Sequence, residues 1–131
     1  MSARRGGHQS WIAKAESDLL NIRNNRAATE VPWDTVCFHA QQVAEKMLKA
    51  FLVANGRPAS RPHDLVALLS VSAEIEPALE PLEGDCRNLT TYAIAARYPV
   101  PLAEPTEREA REMVRAAERV RAALLKLLAK E

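Results

Sequence analysis

The stretch CFHAQQVAEKMLKAFL, residues 37–52, holds the densest set of groups able to hydrogen-bond and titrate: His39, Gln41, Gln42, Glu45, Lys46 and Lys49. At about 100° per residue, a helix puts His39, Gln42, Lys46 and Lys49 on one flank and Gln41 with Glu45 on the other. Such groups could add charge and hydrogen bonds to a bound anion. They read equally as solvated borders of a packed helix, with His39 a satisfied boundary residue.

A second set lies in TTYAIAARYPVP, residues 90–101. Pro99 drives the residue before it out of helical geometry, which leaves Arg97 at a helix end. There a guanidinium either neutralises terminal carbonyls or forks onto a phosphate or carboxylate, with Tyr98 or Tyr92 offering a ring for stacking. In RPASRPHDL, Arg57 and Arg61 near His63 could form an anion-binding corner or simply be solvated.

Other chemistries lack support. The three histidines, His8, His39 and His63, form no His-x-x-x-His pair, there is no Cys-x-x-Cys, and no metal or cofactor is expected. Neither cysteine has a histidine one helical turn away, no Gly-x-Ser-x-Gly elbow occurs, and four scattered glycines cannot build a phosphate-cradling loop. Cys37 and Cys86 read as small buried hydrophobes of a reducing compartment.

The positioning elements follow from periodicity and punctuation. Ile12, Ala15, Leu19 and Ile22 predict an amphipathic helix over about Gln9 to Ala28, with Trp11 beside the stripe and Asp18, Arg23 and Arg26 away from it. Pro32 breaks the pattern. A second helix over about Trp33 to Ala54 faces the core with Val36, Ala40, Val43, Met47 and Phe51, and Asn55-Gly56 stops it as a left-handed cap would. Asp64 is the expected cap of a short helix in DLVALLSV. A short piece near Ala73 to Leu79 and a longer helix from about Pro81 to Ala95 come next. The sequence TERE, residues 106–109, is a capping box, opening a last helix of about 24 residues, roughly 36 Å.

A chain of 131 residues with 47% hydrophobic and 27% charged residues suits one domain. No β-rich run appears, so the expected fold is all-α: an up-and-down antiparallel bundle of four principal helices plus a short additional one, over residues 9–131, behind a flexible tail, 1–8. The net charge of +1 gives no whole-molecule cause to bind nucleic acid or membrane, no apolar run approaches the roughly 20 residues of a membrane span, and no signal-peptide core follows Arg4 and Arg5. The expected location is cytoplasmic.

Taken in order, Trp11 and DLL in the first helix, CFHAQQVAEKMLKAFL, a glycine, HDLVALL, CRNLTTYAIAARYP and the long closing helix resemble the HEPN domain family from about Ser10 to Leu128. That resemblance implies a helical bundle, usually a homodimer, often paired with a minimal nucleotidyltransferase in toxin–antitoxin-like arrangements. In that role it serves as a nucleotide- or substrate-binding partner. Carried over by position, the characteristic surface comprises His39, Gln42, Glu45 and Lys46, then His63 and Asp64, then Tyr92, Arg97 and Tyr98. Many family members are ribonucleases marked by an arginine followed four to six residues on by a histidine. Here no histidine follows Arg97 anywhere, so the reading is a non-catalytic binding subunit. An RNase using Arg97, Tyr98 and Glu45 is one alternative, and with it RNA as a partner. A purely dimerising or protein-interaction module, whose second or last helix supplies the seam, is the other.

Overall fold

Apolar residues recur through Trp33–Ala54 at spacings of three and four, and this segment forms α2, the helix against which most of the others pack. The computed structural model describes the backbone of residues 2–59, 64–97 and 104–129, and their side chains apart from those of 2–6 and 92–97. Five α-helices follow in order: α1 Ser2–Arg26, α2 Trp33–Ala54, α3 Leu65–Ile75, α4 Glu83–Arg97 and α5 Glu107–Leu128, with a 3-10 helix, Pro77–Leu82, between α3 and α4. Among the described residues there is no strand.

Local chemistry sets the ends. Gly56, at φ 75°, takes the left-handed position after α2, while its N–H reaches the Val53 carbonyl and that of Arg57 reaches Leu52. The Asp64 carboxylate accepts from the N–H groups of Val66 and Ala67 at the start of α3. At α5 both halves of the capping box form, Thr106 Oγ1 accepting from Glu109 N at 3.1 Å and Glu109 Oε1 accepting from Thr106 N at 2.9 Å.

Two boundaries differ from the pattern. Helix α1 begins at Ser2, not Gln9, so residues 2–8, read as a tail, are helical. Gly6 and Gly7 lower helix propensity and hide the continuation. Gly7 meets α2 closely: a Cβ there would lie 3.2 Å from Val53 Cγ1. Between α3 and α4, Pro77 opens the 3-10 helix and Pro81 lies within it, so α4 starts two residues later than expected and runs to Arg97.

The six-residue turn 27–32 returns α2 antiparallel to α1. Asp85 of α4 pairs with Arg119 of α5 at 2.8 Å while Thr91 shares a groove with Arg108, which runs α4 against α5. Glu16 of α1 pairs with Arg121 at 2.6 Å. The result is an up-and-down bundle centred on α2, with α5 packed along it. Alanines 40, 44, 110 and 117 are fully buried in the core that these two helices share, and such small side chains permit close helix approach.

The core joins Val36, Val43, Met47, Leu48 and Leu52 of α2 to Leu65 and Leu68, Leu79, Leu89, Val120 and Leu124. The apolar stripe of α2 and most of that of α5 lie in this core: Leu124 is completely buried, while Leu125, Leu127 and Leu128 at the end of α5 are partly exposed. Met47→Ala is expected to cost about 3 kcal/mol by opening a cavity, against about 1 kcal/mol for losing the cap in Thr106→Ala. Urea unfolding of both variants beside the parent chain checks that ranking.

Candidate functional site

Helix α2 carries its polar side chains into two hydrogen-bonded sets. The first hangs on Asp18 of α1. Its Oδ1 lies 2.7 Å from His39 Nδ1 and its Oδ2 accepts from Lys46 Nζ at 2.6 Å, so one carboxylate ties two residues seven apart on α2. A carboxylate only accepts, so Nδ1 carries the proton and Nε2 is the imidazole position left for other contacts. The Phe38 and His39 rings meet edge to face, their centroids 5.4 Å apart.

The second set runs along α2. Gln42 Nε2 donates to Gln41 Oε1 at 2.6 Å, Gln41 Nε2 donates to Glu45 Oε1 at 2.9 Å, and Lys49 Nζ donates to Glu45 Oε2 at 3.0 Å. Gln41, Glu45 and Lys49 are 0%, 4% and 6% exposed, so this border of α2 is interior, not solvated as the pattern alone permits. Lys49 also stands over the Trp11 ring of α1 at 5.5 Å, and Lys14 over the same ring at 4.9 Å.

Asp18 is the residue that sequence reasoning misplaced. It is 5% exposed and lies on the α1 face shared by Ala15 and Ile22, three and four residues away. That spacing is the signal that could have found it: Trp11, Ala15, Asp18 and Ile22 form a continuous row. Asp18 stands aside from a stripe drawn through Leu19, which is itself only half-buried.

Of the other residues carried over from the resemblance, Asp64 is committed to the α3 cap and exposed. Tyr92 and Arg97 lie in α4, with their side chains outside the described residues, and His63 and Tyr98 fall outside them altogether, as does Arg61. Thr90 has a framework role, its hydroxyl donating to the Cys86 carbonyl at 2.9 Å and accepting from Leu65 N at 3.2 Å, which pins the start of α3 to α4. No group of acidic, cysteine or histidine side chains able to hold a metal occurs among the described residues.

The cysteines are free and buried, as expected of small hydrophobes. Burial pushes both thiols up to about 12, with carboxylates adding to the shift: Glu109 and Asp34 at Cys37, Asp85 at Cys86. Such thiols are not nucleophiles near neutrality. Above the ordinary value of 9.0 an unfolded thiol ionises while the folded one keeps its proton, so their contribution to stability is complete below 9.0 and is lost as pH rises towards about 12. Urea midpoints measured across that window are expected to fall less steeply in a Cys37→Ala, Cys86→Ala variant than in the parent chain.

With this geometry in place, comparison with known proteins gives one consistent result. The model of the HEPN domain matches residues 8–128. The crystal structure of an archaeal HEPN homologue superposes with a TM-score of 0.73 at 28% identity, over 92% of this chain and 96% of the other. No curated protein matches significantly. A family match that spans nearly the whole sequence, a shared helical architecture and near-complete mutual coverage lead to one conclusion: the chain belongs to the HEPN domain family.

Proposed function

We propose that this HEPN domain is a non-catalytic binding subunit whose ligand is a nucleotide, or the phosphate-bearing substrate of a partner minimal nucleotidyltransferase, and that it works as a cytoplasmic homodimer. The observation that supports this reading is the prior ordering of the α2 polar groups. His39 and Lys46 are held by one carboxylate, and Gln42 is held through Gln41 to Glu45, so a ligand meeting them finds side chains whose rotamer entropy is already lost. Helix α4 packs on α2 and ends at Arg97. An arginine at that end would fork onto phosphate, with Tyr92 or Tyr98 stacking on a base, while Lys46 adds charge beside it.

One observation favours a second, enzymatic reading. An imidazole with Nδ1 fixed by a carboxylate is the arrangement a general base uses, and the Asp18–His39 pair supplies it without the family's Arg-x4-6-His motif. In that reading the protein is a ribonuclease.

Isothermal titration with ATP, GTP, CTP and UTP separates the two. The binding reading expects saturable heat for at least one nucleotide, abolished in Arg97→Ala and weakened roughly tenfold in Lys46→Ala, the loss of one charge-assisted contact. No heat with any nucleotide would sink it. Cleavage of RNA in the presence of a chelator, absent in His39→Ala, would establish the ribonuclease instead.

A further inference from the structure

Helix α3 is out of keeping with its position. Its sequence, LVALLSVSAEI, carries no charge before Glu74, a composition expected of a helix enclosed on all sides. Yet only Leu65, Leu68, Leu69 and Ser72 are buried; Val66, Val71, Ala73 and Ile75 are partly covered, and Ala67 is exposed. Among the described residues, Val66, Leu69 and Ala73 floor an open groove of about 430 Å³ between α3 and the following 3-10 helix. Val66 to Ala73 spans about two helical turns, or roughly 10 Å.

The rim of the groove is acidic. Glu74, Glu80 and Glu83 line it, and among the described residues Glu83 alone of these has a partner, Arg87 one turn along α4. Among the described residues, Glu74 and Glu80 make no hydrogen bond or ion pair. This continues a wider segregation of charge: from Asp64 to Cys86 there are six acidic residues and no lysine, arginine or histidine, while the remainder has eighteen basic side chains against eleven acidic ones. A chain so supplied with cations leaves these carboxylates unpaired beside apolar surface.

We propose that this groove is a docking site for a protein partner that presents a helix with an apolar stripe flanked by lysine or arginine. The apolar floor supplies the area, and the carboxylates select the charge and orient the approach. The charge argues against other occupants. An isologous contact between two copies would set Glu74, Glu80 and Glu83 against their own counterparts, and phosphate-bearing surfaces, whether nucleic acid or anionic membrane, are repelled. The proposal is independent of the nucleotide reading, since it uses a different face and none of the α2 side chains.

The test is selection of a random helical-peptide phage library on the immobilised full chain. Synthesis of the enriched peptides and mapping of their binding by amide chemical shifts complete it. The expected result is enrichment of lysine or arginine around an i, i+4 apolar pair, with shifts concentrated at residues 66–83. Affinity should fall roughly tenfold in Glu74→Lys, Glu80→Lys, the cost of reversing two rim charges. Both glutamates are exposed and without partners, so the variant should keep its helical circular dichroism. Enriched peptides that are acidic, that map to α2 or α5, or that bind the double variant unchanged would overturn the proposal. So would a selection that enriches nothing, or concentration-dependent self-association through α3 in the parent chain.

Discussion

A charged side chain that leaves water must find its partner inside the protein, and α2 brings that demand to the centre of the fold. It packs against four other helices while carrying Gln41, Glu45 and Lys49 in positions almost without solvent. A removed partner at such a site leaves an uncompensated charge, far costlier than the small net gain of the pair itself. The arrangement of the neighbouring helix follows from this. Helix α1 must set Trp11 beside Lys49 and Asp18 between His39 and Lys46, and those two requirements, about two turns apart, fix both the rotation and the register of α1 on α2.

The same demand separates α2 into faces with different work. Its inner face of valine, alanine, methionine and leucine builds the core with α5, where alanines let the backbones approach. Its polar flank is ordered by hydrogen bonds to Asp18 of α1 and along α2 itself. Folding has already immobilised these side chains, so their rotamer entropy is spent in forming the bundle. The free thiols of Cys37 and Cys86 belong to the core side of this division and are chemically quiet.

Charge is divided on a larger scale as well. Basic side chains are spread over α1, α2 and α5, whereas the segment from α3 through the start of α4 is purely acidic. A net charge near zero conceals this, since it is a sum over opposed regions. Membership of the HEPN family describes the bundle; the chemistry of each face has to be argued from its own residues.

Local order was legible from the residues alone. The capping box at Thr106, the aspartate cap at Asp64, the glycine stop at Gly56 and the apolar periodicity of α2 and α5 are short-range physics, decided within a turn or two of the chain. The all-helical class followed from the same signals, and the resemblance to the HEPN family from the order of the short motifs those helices carry. What tertiary structure decided was which polar groups enter the interior. Nothing local distinguishes Glu45 and Lys49 from an exposed i, i+4 pair, or Asp18 from a solvated aspartate. The difference lies in the partner helix, which covers one flank of α2 and supplies an aromatic face and a carboxylate from residues more than twenty positions away. Periodicity measures the direction a side chain takes from its own helix axis, whereas burial depends on what another helix places there.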